Sequence, residues 1–132
     1  MQAKVEWRGG LSFYGKTDSG YEATMDGDGQ CISPMESVLV AVGACSSVDV
    51  VEILRKARQD LQGCYCELSA ERAAEPPRVF TKIHAHYVAK GSDIKEKHLA
   101  RAVQLSAEKY CSVMLMLNET VEITTSYTIE TA

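Results

Sequence analysis

Apolar and polar residues alternate from Ala3 to Arg8, break at Gly9-Gly10 and resume from Leu11 to Lys16, a spacing that predicts a β-hairpin. Thr17-Asp18-Ser19-Gly20 reads as a second turn and Tyr21 to Met25 as a third short strand. The polar loop Asp26-Gly27-Asp28-Gly29-Gln30 lacks the remaining ligands and the distal glutamate of an EF-hand loop, so it reads as a turn. The pattern then changes. From Ser33 to Leu54 there is no turn signal, and from Val38 to Cys45 nothing is polar. The valines suit a strand, but this length is far beyond the usual ~5–6 residues of one, so length decides for a helix. Ser33 with Glu36 three residues later forms a capping box, and Pro34 is pre-set for the first helical position. A helix apolar on all sides is expected to be enclosed by protein, at the centre of the fold.

Beyond Leu54, Arg55, Lys56 and Arg58 complement the helix dipole, and Gly63 offers a stop. Cys64 to Arg72 and Val79 to Lys90 are expected as two longer strands forming a hairpin across Glu75-Pro76-Pro77-Arg78. Ser92 is expected to cap a second helix with Leu99, Ala102, Val103, Ser106 and Tyr110 on one face. A short helical piece, Val113 to Leu117, and a last strand, Val121 to Glu130, follow Cys111. This order gives an α+β fold with mainly antiparallel sheet and two main helices. One copy has difficulty covering both the apolar helix and the strands, so a second subunit is expected to complete the core.

With 132 residues the chain suits a single domain over 1–132, and a domain of this size buries roughly two-thirds of its unfolded surface. Hydrophobic residues at 45% and charged ones at 24% are ordinary globular values, and the net charge of −4 with scattered basic residues argues against a nucleic-acid or anionic membrane partner. Asp49 and Glu52 interrupt the only candidate membrane span, and no secretion signal is recognised. Five cysteines, an odd number, then point to reduced thiols in a cytoplasmic protein rather than to a disulfide framework.

Cysteine chemistry runs through the thiolate and commonly needs a second thiol to capture a sulfenic acid. Cys45 and Cys111 suit such a pair, each on or beside a helix among small residues. Lys109 is placed to favour a nearby thiolate, while Asp49, one turn after Cys45, opposes one unless it is paired. Cys45 equally suits a buried apolar filler. Cys64 and Cys66 share a face of one strand, as do His84 and His86 of the next, and the four could make a tetrahedral zinc site, but neither spacing matches a common zinc turn and a C-x-C in well-formed sheet reads rather as core packing. Cys31 reads as a loop thiol and His98 as part of a solvated helix face. The absence of a phosphate loop, a G-x-S-x-G elbow and H-E-x-x-H leaves nucleotide-binding, serine hydrolase and zincin readings without a motif.

The segment Ser33-Pro34-Met35-Glu36 running to Gly43-Ala44-Cys45, together with Glu108-Lys109-Tyr110-Cys111-Ser112-Val113, resembles the OsmC/Ohr family, the osmotically inducible and organic hydroperoxide resistance proteins, and within it the OsmC-like YhfA branch. The resemblance implies an intertwined α+β homodimer with central helices and active sites at the subunit interface. It also implies a thiol peroxidase in which Cys45 attacks the peroxide, Cys111 resolves the sulfenic acid and an external dithiol reductant restores both, with no metal or other cofactor. Walls such as Val38, Val42 and Val48 would favour an organic hydroperoxide. In the family a glutamate directly after the proline pairs with an arginine near the thiol. Here Met35 holds that place and Glu36, the next residue, is the candidate for the glutamate's catalytic role; no arginine lies between Leu11 and Ile32, Arg8 being the nearest, and Ser112 and Met114 replace a proline and a polar residue after the second cysteine. A non-catalytic protein that binds a small apolar ligand or senses redox state is the alternative.

Overall fold

The computed structural model describes Met1–Ala132, which sort into two compact units, residues 1–40 and 41–132. In the first, β1 (Ala3–Trp7), β2 (Ser12–Thr17) and β3 (Glu22–Asp26) form an antiparallel meander in the order β1-β2-β3. Gly9 and Gly10 make the first turn with positive φ of 96° and 53°, a conformation that costs glycine little. Trp7 pairs with Phe13 and Val5 with Gly15, so one side of this sheet is apolar.

Helix α1 (Pro34–Lys56) begins in the first unit and continues into the second. Its capping box forms as expected: the Glu36 amide donates to Ser33 Oγ at 3.1 Å and the Ser33 amide to Glu36 Oε1 at 2.9 Å. The stop differs from the expected one. Arg58 takes a left-handed φ of 59°, its amide donates to Arg55 O, and the Gln59 amide donates to Leu54 O, while Gly63 lies inside the next strand. The helix is not enclosed on all sides either. Val42, Gly43, Ser46, Val50 and Leu54 are buried along one stripe, whereas Val40 and Val48 remain 56% and 57% exposed, because a single chain covers only one face. By length and composition α1 could cross a membrane, Asp49 and Glu52 notwithstanding, but its buried stripe packs on protein as a core helix does.

The second unit holds the sheet β4 (Asp60–Arg72), β5 (Phe80–Ser92) and β6 (Glu122–Thr131), with β5 in the middle. The expected β4–β5 hairpin is present and antiparallel, but β6 joins β5 in parallel, Tyr87 beside Tyr127. The helical residues between the two strands therefore form a crossover, an arrangement that an antiparallel return would not require.

Ser92 belongs to β5 and caps nothing. Helix α2 (Glu96–Leu105) starts after Lys95, whose amide is taken by Gln59 Oε1 at 2.8 Å. A π-helical turn, Ser106–Tyr110, and the short helix α3 (Ser112–Leu117) complete the crossover. Leu99, Ala102, Val103 and Ser106 are buried as expected, but Tyr110 is 52% exposed. The wider turn explains this. The Cys111 amide donates to Ser106 O, five residues back, so Cys111 rather than Tyr110 comes under Ser106 and is completely buried.

Candidate functional site

Gly43 brings α1 close to β4, since a Cβ there would meet Leu68 Cδ1 at 2.7 Å. The stripe of α1 next to it carries Cys45 and Ser46, half-buried and buried respectively. Ser46 Oγ donates back to Val42 O at 2.7 Å, a local bond that removes the cost of an unpaired hydroxyl in the core. From β5, the Tyr87 hydroxyl donates to Ser46 Oγ at 2.6 Å. From the π turn, Ser106 Oγ lies 3.0 Å from Ser46 O and 2.9 Å from Asp49 Oδ2. Asp49, the acid one turn after Cys45, is thus occupied by a hydroxyl that also ties the π turn to α1.

This fastening brings Cys111 beside Cys45, near enough for Cys45 to help raise the Cys111 thiol. The two thiols stand in different surroundings. Cys45 is half-buried and Cys111 has no exposed surface. Burial, reinforced by Cys45, pushes the Cys111 thiol from the ordinary 9.0 up to about 11. Cys111 is also the N-cap of α3, and its Sγ accepts from the Met114 amide at 3.4 Å, which acts in the opposite direction. Lys109, expected as a cation near the thiols, is exposed and lies over the Tyr110 ring at 5.9 Å. Of the expected apolar walls in this unit, Val42 is fully buried and Val48 lies open.

Glu36 is committed to the α1 cap, where the Ser33 amide and hydroxyl hold its carboxyl below the usual range, and it forms no salt bridge. Arg8 pairs with Glu6 at 3.2 Å and lies 4.4 Å from the Tyr14 ring centroid.

Strand register separates the four residues considered as zinc ligands. Cys66 stands opposite Tyr87 and Cys64 opposite Ala89, on the face turned to the core, while His84 and His86 stand opposite Ser69 and Glu67 on the other face. The thiols and imidazoles therefore cannot converge. Cys66 instead adjoins the Tyr87 hydroxyl, and burial, with a further contribution from Cys64, pushes it up to about 11. Burial likewise pushes the Tyr87 phenol well above its ordinary value. The sequence places Ser106 on a buried helix face but assigns no site role to it, to Ser46 or to Tyr87; the only further signal is a large polar aromatic between Ala85 and Ala89 on an otherwise apolar strand face.

The family profile described as OsmC, OsmC-like protein, matches residues 27–126, a span that includes both thiols. Protein YhfA of Escherichia coli strain K12 is 52% identical over the whole length of both chains. The crystal structure of a hypothetical protein from Aquifex aeolicus VF5 is 35% identical, with a TM-score of 0.90 over 99% of this chain and 96% of that one. An organic hydroperoxide resistance protein OsmC from Legionella pneumophila shares the fold at 16% identity, with a TM-score of 0.73 over 96% and 95% of the two chains.

Proposed function

Because this chain belongs to the OsmC family, we propose that it reduces organic hydroperoxides with Cys45 as attacking thiol and Cys111 as resolving thiol. The observation that carries this reading is the adjacency of one reachable thiol and one buried thiol across α1 and the π turn. The relative from Legionella pneumophila named for organic hydroperoxide resistance supports the substrate class.

In the proposed cycle the Cys45 thiolate attacks a peroxide oxygen, the O–O bond breaks, and the alkoxide leaves as alcohol after taking a proton. Cys45 is then a sulfenic acid. Cys111 loses its proton and its sulfur attacks Cys45 Sγ; the S–S bond forms, the S–O bond breaks, and water leaves. Burial suits Cys111 to this second step, because a thiol kept neutral does not compete for peroxide. The Met114 amide aimed at its sulfur supports the negative charge that develops when the proton departs. An external dithiol then reduces the disulfide by exchange, and no metal or organic cofactor enters the cycle.

We also propose that the working form is a cytoplasmic homodimer. Val5, Trp7 and Phe13 leave the apolar side of the first sheet 67%, 66% and 38% exposed, and α1 leaves Val40 and Val48 open, surfaces that a second copy would cover.

One observation favours the alternative of a ligand-binding or redox-sensing protein. Glu36 serves the helix cap and Arg8 is engaged by Glu6 and Tyr14, so neither is free to activate a thiol as the family's glutamate and arginine do. Reaction of the reduced protein with one equivalent of cumene hydroperoxide, followed by mass-spectrometric mapping, decides between them. A rapid Cys45–Cys111 disulfide, with sulfenic acid trapped on Cys45 in Cys111→Ser, is expected. Slow oxidation spread over all five cysteines would leave the alternative standing.

A further inference from the structure

The face of the second sheet turned away from α1 carries a continuous hydrogen-bonded ladder. His84 Nδ1 lies 2.7 Å from Thr124 Oγ1 and His84 Nε2 lies 2.8 Å from Ser126 Oγ. His86 Nδ1 lies 2.6 Å from the same Ser126 oxygen, and His86 Nε2 lies 3.0 Å from Thr128 Oγ1. Two imidazole nitrogens from different side chains thus converge on the Ser126 hydroxyl. We propose that His84 and His86 form a site for one divalent transition-metal ion, centred there.

The arrangement suits a metal in three respects. Residues two apart on a strand face the same way, so backbone geometry rather than side-chain adjustment brings the rings together. The far nitrogen of each ring meets a threonine hydroxyl, and a ring that donates N–H to that hydroxyl presents its other lone pair inward, the partner arrangement typical of ligating histidines. The flanking charges favour a cation. Glu67 and Glu71 on β4 and Glu122 and Glu130 on β6 share this face with Lys82 and Lys90, and Lys82 already lies 3.8 Å from Glu71 and 3.9 Å from Glu122.

No third His, Cys, Asp or Glu completes the site. Beyond the two imidazoles, coordination falls to the Ser126 hydroxyl and water, so the ion is exchangeable and more weakly held than in a closed structural zinc site. Nitrogen ligands select Cu(II), Ni(II) or Zn(II) over Mg(II) or Ca(II). The thiols lie on the opposite face of the sheet, and the site does not depend on the peroxidase reading.

The test is a Ni(II) titration of the untagged, reduced protein followed by NMR. Ni(II) avoids the thiol oxidation that Cu(II) would cause. One equivalent per chain is expected to broaden resonances around residues 84–86 and 124–128, with Zn(II) displacing it. His84→Asn and His86→Asn should each weaken binding at least tenfold, while a Cys45→Ser, Cys111→Ser double variant binds as the parent does. The side chains of His84 and His86 are only half-buried, and the variants' own spectra report whether they are folded. Broadening centred on the thiols or on His98, or equal affinity in the histidine variants, would overturn the site.

Discussion

Ile83, Ala85, Tyr87 and Ala89 of β5 are turned to the core and almost completely buried, whereas His84 and His86, one residue out of phase, are half-buried on the opposite face. Both faces carry hydroxyls, and the outer one imidazole nitrogens as well, yet the two arrangements serve different ends. On the inner face each polar group is fastened to another element: Tyr87 to Ser46 of α1, and Ser106 of the π turn to Ser46 and Asp49. On the outer face the bonds run between neighbouring strands that the backbone already holds together. Loss of an inner group should therefore loosen the packing of elements that carry the thiols, and loss of an outer one should alter only what the surface binds.

The sharpest way to break this comparison is at Tyr87. Tyr87→Ala removes a fully buried ring and should cost about 3–5 kcal/mol in urea denaturation, the usual range for large aromatic-to-alanine changes. Tyr87→Phe keeps the ring, loses one buried hydrogen bond, and should cost about 1 kcal/mol. Equal costs for the two would mean that the hydroxyl, not the packing, anchors β5 to α1.

Alkaline titration probes the same face next. Cys66 and Cys111 are raised from 9.0 to about 11 in the folded chain. Folding therefore favours their neutral forms, and the associated stability is complete below pH 9 and lost as pH rises through 11. Denaturation midpoints measured from pH 8 to 11 should fall, and Cys66→Ala should flatten the decline. A midpoint independent of pH would mean that these thiols are better solvated than their burial implies.

The smallest effects separate the faces most cleanly. Ser106→Ala leaves Asp49 without its hydroxyl and frees the π turn, for about 1–2 kcal/mol, and should slow Cys45–Cys111 disulfide formation after peroxide. Ser126→Ala, the outer counterpart, should stay within about 0.5 kcal/mol and leave disulfide formation unchanged. A larger loss at Ser126 than at Ser106 would reverse the assignment of roles.

Much of this was legible in the residues. Ser33, Pro34 and Glu36 define the start of α1, and alternation located each strand, because both signals are local. The end of α1 was not legible, since Arg58 adopts a left-handed conformation for which the sequence offered Gly63 instead. Nor was the parallel joining of β6, which depends on how the crossover packs rather than on its alternation. Cys45 and Cys111 stand out as candidates through their helix-side, small-residue surroundings and the resemblance, but the π turn that puts Cys111 in place of Tyr110 on the buried face leaves no periodic signal. Zinc ligation by both cysteines and both histidines, disfavoured by spacing, is excluded by parity: residues two apart share a face within each strand, but the register between strands, which the residues alone do not give, puts the two pairs on opposite faces.

The parallel joining of β6 also bears on the order in which the chain becomes safe in the cell. The β4–β5 hairpin is complete in a nascent chain well before residues 122–131 are available, and until they pair, β5 presents an unprotected edge beside Ile83, Ala85 and Ala89. Such an edge is a template for association with other chains. The strand that closes it carries the hydroxyls of Thr124, Ser126 and Thr128 on its outer face, so that face of the late arrival brings little stickiness of its own. Slowed synthesis of this last strand would prolong the interval in which aggregation competes with folding.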